Sequence, residues 1–244
     1  MKRSLPNSVP PFDIDSVRSR LPGRRIDWFQ SLDSTMIEAR RDLQPGRIVV
    51  AEQQTAGMGR HGRKWISEAG AGLYVSMVLA AKPIPVLMLS LGLATRAALT
   101  SVSRLIVDLR WPNDVLINGK KCAGAIAQLE RDTIIAGIGI NVSQTAFPDD
   151  LDTPATSLLL EGVTTSREDL LVALVECVDR YTQLSPDEIL REFTNASSYV
   201  LGKRVRVESG LEGVTCGLDP AGFLRVREDN GTETVILAGG VRPV

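Results

Sequence analysis

Asn118-Gly119 lies between Val115-Leu116-Ile117 and Lys120-Lys121-Cys122-Ala123-Gly124-Ala125-Ile126, and this pair constrains the fold more than any other short signal in the chain. A two-residue type I′ turn needs positive φ at both central positions, which Asn and Gly tolerate, so the stretch predicts a β-hairpin with Lys121 near the start of its second strand. Just upstream, residues 105–110 read as a strand running into Trp111-Pro112-Asn113-Asp114. Proline has no N–H to continue a ladder, which leaves Asn113 and Asp114 presented at a strand end. Further strands are expected at residues 26–30, 48–50, 73–79 and 133–142. The last is interrupted by Gly137 and Gly139, where small residues mark close approach of a ligand or another backbone.

Helical spacing and caps predict helices over residues 12–21, 36–40, 86–104, 154–161, 167–184 and 186–195. The second starts from Asp33-Ser34-Thr35, hydroxyls that can cap a helix or face a ligand equally well; the last has Ser185 as cap and Pro186 at its first position. From Gly202 the apolar period changes to two, through Val205 and Val207, Val214 and Cys216, Leu224 and Val226, and Val235 and Leu237. That pattern predicts a small barrel-like β domain of four or five strands. The expected division is a lead-in over residues 1–24 containing Pro6, Pro10 and Pro11, a main α/β domain over 25–197, and a β domain over 198–244.

With 28 basic and 29 acidic residues the net charge is −1, a poor match for a protein that coats nucleic acid electrostatically. The lead-in has no apolar core of a signal peptide, and no stretch is long enough to span a bilayer. Cys122, Cys177 and Cys216 are odd in number and lack metal-ligand spacing, so they read as buried thiols of a reducing cytoplasm. His61 is the only histidine and reads as a polar loop residue.

Residues 57–65, Gly-Met-Gly-Arg-His-Gly-Arg-Lys-Trp, form a loop both glycine-rich and basic. Its glycines let backbone N–H groups approach an anion, and Arg60 and Arg63 add planar, bidentate oxyanion recognition. The loop carries little apolar area, so it should become ordered only when a ligand supplies contacts.

Taken together, this loop, Arg110-Trp111-Pro112-Asn113-Asp114, Gly119-Lys120-Lys121-Cys122-Ala123-Gly124 and Gly137-Ile138-Gly139-Ile140-Asn141 resemble the biotin–protein ligases in residues, order and spacing over roughly residues 26–240. The resemblance implies an α/β (α+β) fold: a class II synthetase-like mixed sheet with flanking helices, followed by an SH3-like barrel. It implies ATP, Mg²⁺ and biotin as ligands and a biotin carboxyl carrier protein domain as acceptor. Ser34, Thr35, Met36, Gln54, Met58, Gly59, Arg60 and Lys121 would hold biotin. Arg60, Arg63, Trp65, Asn113 and Asn141 would meet ATP, Arg60 and Lys121 would serve catalysis, and Asp114 would stand on the metal side, if need be through water. Two departures stand out, since many bacterial members carry Arg in place of Met58 and Asn in place of Met36. Without an N-terminal winged helix, the chain is expected to be of the monofunctional type, with no nucleic-acid or membrane partner; assembly as a homodimer stays open. A lipoate or octanoate ligase of similar fold is the alternative, and a nucleic-acid-binding regulator is a more distant one.

Overall fold

The computed structural model describes residues 11–80 and 86–244; the proline-bearing start of the lead-in lies outside the described residues. In chain order the elements are α1 (Ile14–Arg20), β1 (Ile26–Phe29), α2 (Thr35–Arg40), β2 (Ile48–Ala51), β3 (Gly72–Leu79), α3 (Leu87–Ser103), β4 (Val107–Arg110), β5 (Asp114–Ile117), β6 (Lys120–Glu130), β7 (Thr133–Asn141), α4 (Arg167–Tyr181) and α5 (Pro186–Ala196). Five strands follow: β8 (Leu201–Val207), β9 (Glu212–Leu218), β10 (Leu224–Arg227), β11 (Glu233–Ile236) and β12 (Val241–Pro243).

Seven strands form a mixed sheet in the order β1-β2-β3-β7-β6-β5-β4, with β1 and β2 parallel and the other neighbours antiparallel. The β5–β6 hairpin turns through Asn118 (φ 50°) and Gly119 (φ 74°), as a type I′ turn requires. Alternation along β2 sends Ile48 and Val50 into the main core, which α3 and α4 share, and Val49 to the other face, against Met36 and Ala39 of α2. Helix α3 packs on α4, α5 and the sheet, and its leucines 87, 89, 91, 93 and 99 are all buried; a helix apolar over so much of its surface belongs inside. Ser34 caps α2, and Ser185 with Glu188 closes a capping box on α5.

The last five strands form an antiparallel SH3-like sheet in the order β11-β10-β9-β8-β12. Val205, Val207, Leu224, Val226 and Val241 join the same core as α3. Trp111 fixes the contact: it is buried, and its Nε1 donates to the Gly222 carbonyl at 2.9 Å, so it is a packing residue that ties the two sheets together.

Residues 154–161 are not helical, contrary to the expectation from their spacing. Lys121 N donates to the Pro154 carbonyl (2.8 Å) and Thr156 N to the Lys121 carbonyl (2.9 Å), so the segment first runs beside β6 and then folds into turns. Pairing to a strand distant in sequence outweighs local periodicity. No helix among the described residues is long and apolar enough to cross a membrane.

Candidate active site

The segments that follow β2, join β4 to β5, and lie at the adjoining ends of β6 and β7 surround one cavity of about 410 Å³, within the usual range for small-molecule sites. Every site residue expected from the sequence lines it, from Ser34, Thr35 and Met36 through the loop to Asn141.

One end is a chain of neutral hydrogen bonds. Thr35 donates twice to Gln54 Oε1, from N at 2.8 Å and from Oγ1 at 3.2 Å. Ser76 Oγ donates to Thr35 Oγ1 (2.8 Å), and Gln54 Nε2 donates to Ser67 Oγ (2.9 Å), which donates to the Trp65 carbonyl (3.2 Å). Such a connected network fixes the orientation of each member. Ser34 both caps α2 through Met36 N and faces the cavity, so the two readings of its hydroxyl hold together. Ser76 and Ser67 had no sequence signal beyond a hydroxyl among apolar or loop residues.

Gly137 and Gly139 make room for side chains of the site itself. A Cβ on Gly137 would stand 2.7 Å from Met36 Sδ, and one on Gly139 only 2.5 Å from Trp65 Cε2. Met36 is thus a buried, apolar part of the wall, whereas Met58 is exposed at the rim. Trp65 lies with its ring 5.5 Å from Lys121 Nζ, and its buried Nε1 has no partner among the described residues. Gly139→Ala should therefore displace the indole and destabilise the fold by about 1–3 kcal/mol, the usual range for overpacking. Thermal denaturation followed by tryptophan fluorescence checks this, and an unchanged midpoint and spectrum would show that the ring has space.

The other end is ionic. Asp114 Oδ1 accepts from Lys121 Nζ at 2.6 Å, and Oδ2 accepts from Arg110 Nη2 at 2.5 Å; Arg110, itself buried, also reaches Thr153 Oγ1 at 2.8 Å. Burial pushes the Asp114 carboxyl up, but Lys121 and Arg110 outweigh it and hold it below the usual carboxylate range. Asp114 was expected on the metal side. Here its two oxygens are each engaged by a cation, and the described residues contain no group of three or more His, Cys, Asp or Glu that could hold a metal ion. Asp114 is thus the counter-ion of Lys121 and Arg110, and a Mg²⁺ on this side would reach it through water. Arg110 belongs to the quoted motif, yet nothing in the sequence shows that a strand-end arginine is buried beside an aspartate.

Asn113 Nδ2 donates to the Ala125 carbonyl (2.8 Å) while its Oδ1 accepts from Arg60 Nη1 (3.1 Å). Asn141 Nδ2 donates to the Thr156 carbonyl (2.9 Å), and its Oδ1 accepts from Gln144 Nε2 (3.4 Å), so it also braces the segment beside Lys121.

The loop is braced too. Gly59 N donates to the Arg63 carbonyl (2.7 Å) and Trp65 N to the Gly57 carbonyl (2.9 Å), an antiparallel bridge enclosing one 3₁₀ turn, Arg60–Gly62, that Arg63 N closes on the Arg60 carbonyl (3.2 Å) and whose exposed His61 has φ 56°. A Cβ on Gly57 would stand 2.5 Å from the Trp65 carbonyl oxygen, so this closure requires glycine. Arg60 Nη1 also donates to the Gly239 carbonyl (3.2 Å), and Arg63 Nη2 to Glu208 Oε1 (2.8 Å). Burial pulls the Arg60 guanidinium below its usual range. Contacts that ordering of the loop was expected to draw from a ligand are thus supplied in part by the protein. Of the cysteines only Cys122 is buried, and burial pushes its thiol up to about 12; Cys177 and Cys216 are partly exposed.

Residues 23–144 match the biotin/lipoate A/B protein ligase family, and the chain belongs to that family. Residues 200–241 match the biotin protein ligase C terminal domain, which narrows the assignment to the biotin branch. The chain is 33% identical to a biotin--[acetyl-CoA-carboxylase] ligase of Mycobacterium tuberculosis over 95% of both chains. It is 32% identical to the bifunctional ligase/repressor BirA of Bacillus spizizenii over 87% of this chain and 71% of that one. Among solved structures it superposes on the biotin protein ligase of Aquifex aeolicus in complex with biotin and ATP, with TM-score 0.81, 30% identity, and 90% and 99% of the two chains covered.

Proposed function

We infer that the chain activates biotin with ATP to biotinoyl-5′-adenylate and transfers the biotinoyl group to a lysine of a biotin carboxyl carrier protein domain. In the first step a biotin carboxylate oxygen attacks the α-phosphorus and pyrophosphate leaves; in the second, the carrier amine attacks the acyl carbon and AMP leaves. Neither step needs a nucleophile from the enzyme, so rate enhancement comes from positioning and from fixed positive charge. The observation that carries this reading is the convergence, on one cavity, of a neutral hydrogen-bonded end and a cationic end.

Ser34, Thr35 and Gln54 suit a ureido group, which donates and accepts at once, Met36 offers an apolar wall to its ring, and the Trp65 indole beside Lys121 suits the nucleotide. Arg60, Arg63 and Lys121 suit a carboxylate meeting a phosphate, and Asn113 and Asn141 flank the nucleotide end. Lys121 is held by Asp114 until an anion competes for it, and Arg110 keeps Asp114 partnered when Lys121 turns away. Mg²⁺ would come with the ATP phosphates, whose charge it screens; no step is assigned to protein ligands of a metal. The setting that fits this chemistry is cytoplasmic, where ATP and carrier domains meet.

Lipoate has a dithiolane in place of the ureido ring and cannot use the Thr35–Gln54 donors and acceptors. Biotin at about a hundred times its Kd should stabilise the fold by about 2.7 kcal/mol, read as a rise in melting temperature, and lipoate should leave it unchanged. A shift with lipoate alone would favour the other branch of the family.

A further inference from the structure

Arg60 and Arg63, assigned above to the phosphate end, are both held by the C-terminal sheet, through the Gly239 carbonyl and the Glu208 carboxylate. A third link joins Arg242 to Asp152 at 2.9 Å, tying the same sheet to a second segment of the cavity wall. Glu208 is the better fixed partner of its pair, with its side chain 27% exposed against 51% for Arg63. It follows β8, its N donates to the Gly240 carbonyl at 3.1 Å, and its carboxylate lies against Gly239 and Gly240, where an added Cβ would stand 3.3 and 3.2 Å from it. The sheet therefore sets the carboxylate, and the loop arginine comes to it. Glu208 also faces Arg242 beside Arg63, so it offsets positive charge that would otherwise push the loop away from this wall.

We propose that Glu208 is a positioning residue for the adenylation step: it holds Arg63, and with it the loop, over the cavity before ATP arrives, which makes the C-terminal sheet a wall of the active site. The proposal rests on reading the cavity as the biotin and ATP site. A residue that meets the phosphates only in the transition state loses kcat when removed, whereas a residue that only pre-orders the loop for binding raises the KM for ATP with kcat unchanged.

The test compares Glu208→Gln, which keeps the shape and removes the charge, with Glu208→Asp and with Asp229→Asn, which breaks the exposed Arg204–Asp229 pair on the same sheet away from the cavity. Amide hydrogen exchange of peptides covering residues 57–65 should be about three- to fivefold faster in Glu208→Gln without any ligand, consistent with one partly exposed ion pair. The KM for MgATP should rise by a similar factor with kcat unchanged, Glu208→Asp should recover part of both effects, and Asp229→Asn should match wild type. Unchanged loop exchange in Glu208→Gln, or equal acceleration in Asp229→Asn, overturns the positioning role. Failure of wild type to turn over biotin and ATP would instead overturn the functional reading, and the exchange experiment would still decide whether Glu208 holds the loop.

Discussion

Lys121→Ala should slow biotin-dependent adenylation by about 10²–10³-fold, the usual cost of removing one fixed donor aimed at charge that develops in the transition state. Its effect on folding should be small. Lys121 is partly exposed, and its partner Asp114 keeps Arg110 through Nε at 3.2 Å and Nη2 at 2.5 Å, so the carboxylate is not left unpaired. A loss of about 1 kcal/mol would lower the melting temperature of a chain this size by roughly 2–4 °C. Single-turnover adenylation and thermal denaturation on the same preparation separate the two effects. Proportional losses of activity and stability would make Lys121 a structural flank of the hairpin turn.

Arg60→Gly is expected to fail in a different way, by releasing the adenylate. Arg60 is half-buried between the Asn113 side chain and the Gly239 carbonyl, so it joins the loop to both walls of the cavity. Removing it deletes a charge-assisted contact worth about 1.5–3 kcal/mol, which corresponds to roughly a ten- to hundredfold loss of retention. Water and stray amines would then reach a mixed anhydride that the closed loop shields. Free adenylate and biotin on lysines of an unrelated protein should both rise by at least about tenfold. Leakage equal to wild type would show that retention lies elsewhere in the loop.

Most of the framework was legible because its signals are local. Asn118-Gly119 specifies its own turn, Ser185 with Glu188 its own cap, and alternation along β2 its own two faces. That the quoted motifs converge was legible for the same reason: each sits at a strand end or in a loop that the fold delivers to one cavity. What escaped depends on contacts between distant stretches. The segment after Pro154 looks helical by spacing, yet pairs with Lys121. That Asp114 carries both Arg110 and Lys121 on its carboxylate is likewise invisible along the chain. Glu208, 145 positions beyond Arg63, carries no motif, and only the docking of the second sheet through Trp111 brings it to the loop.

Exchange of labelled pyrophosphate into ATP, with MgATP and pyrophosphate at equilibrium and biotin added or withheld, tests the central claim most directly because it reports reversal of adenylate formation alone. Exchange that depends on biotin, is absent with lipoate and falls with Lys121→Ala is the predicted result. Exchange independent of biotin, or none at saturating biotin in a folded protein, would contradict it.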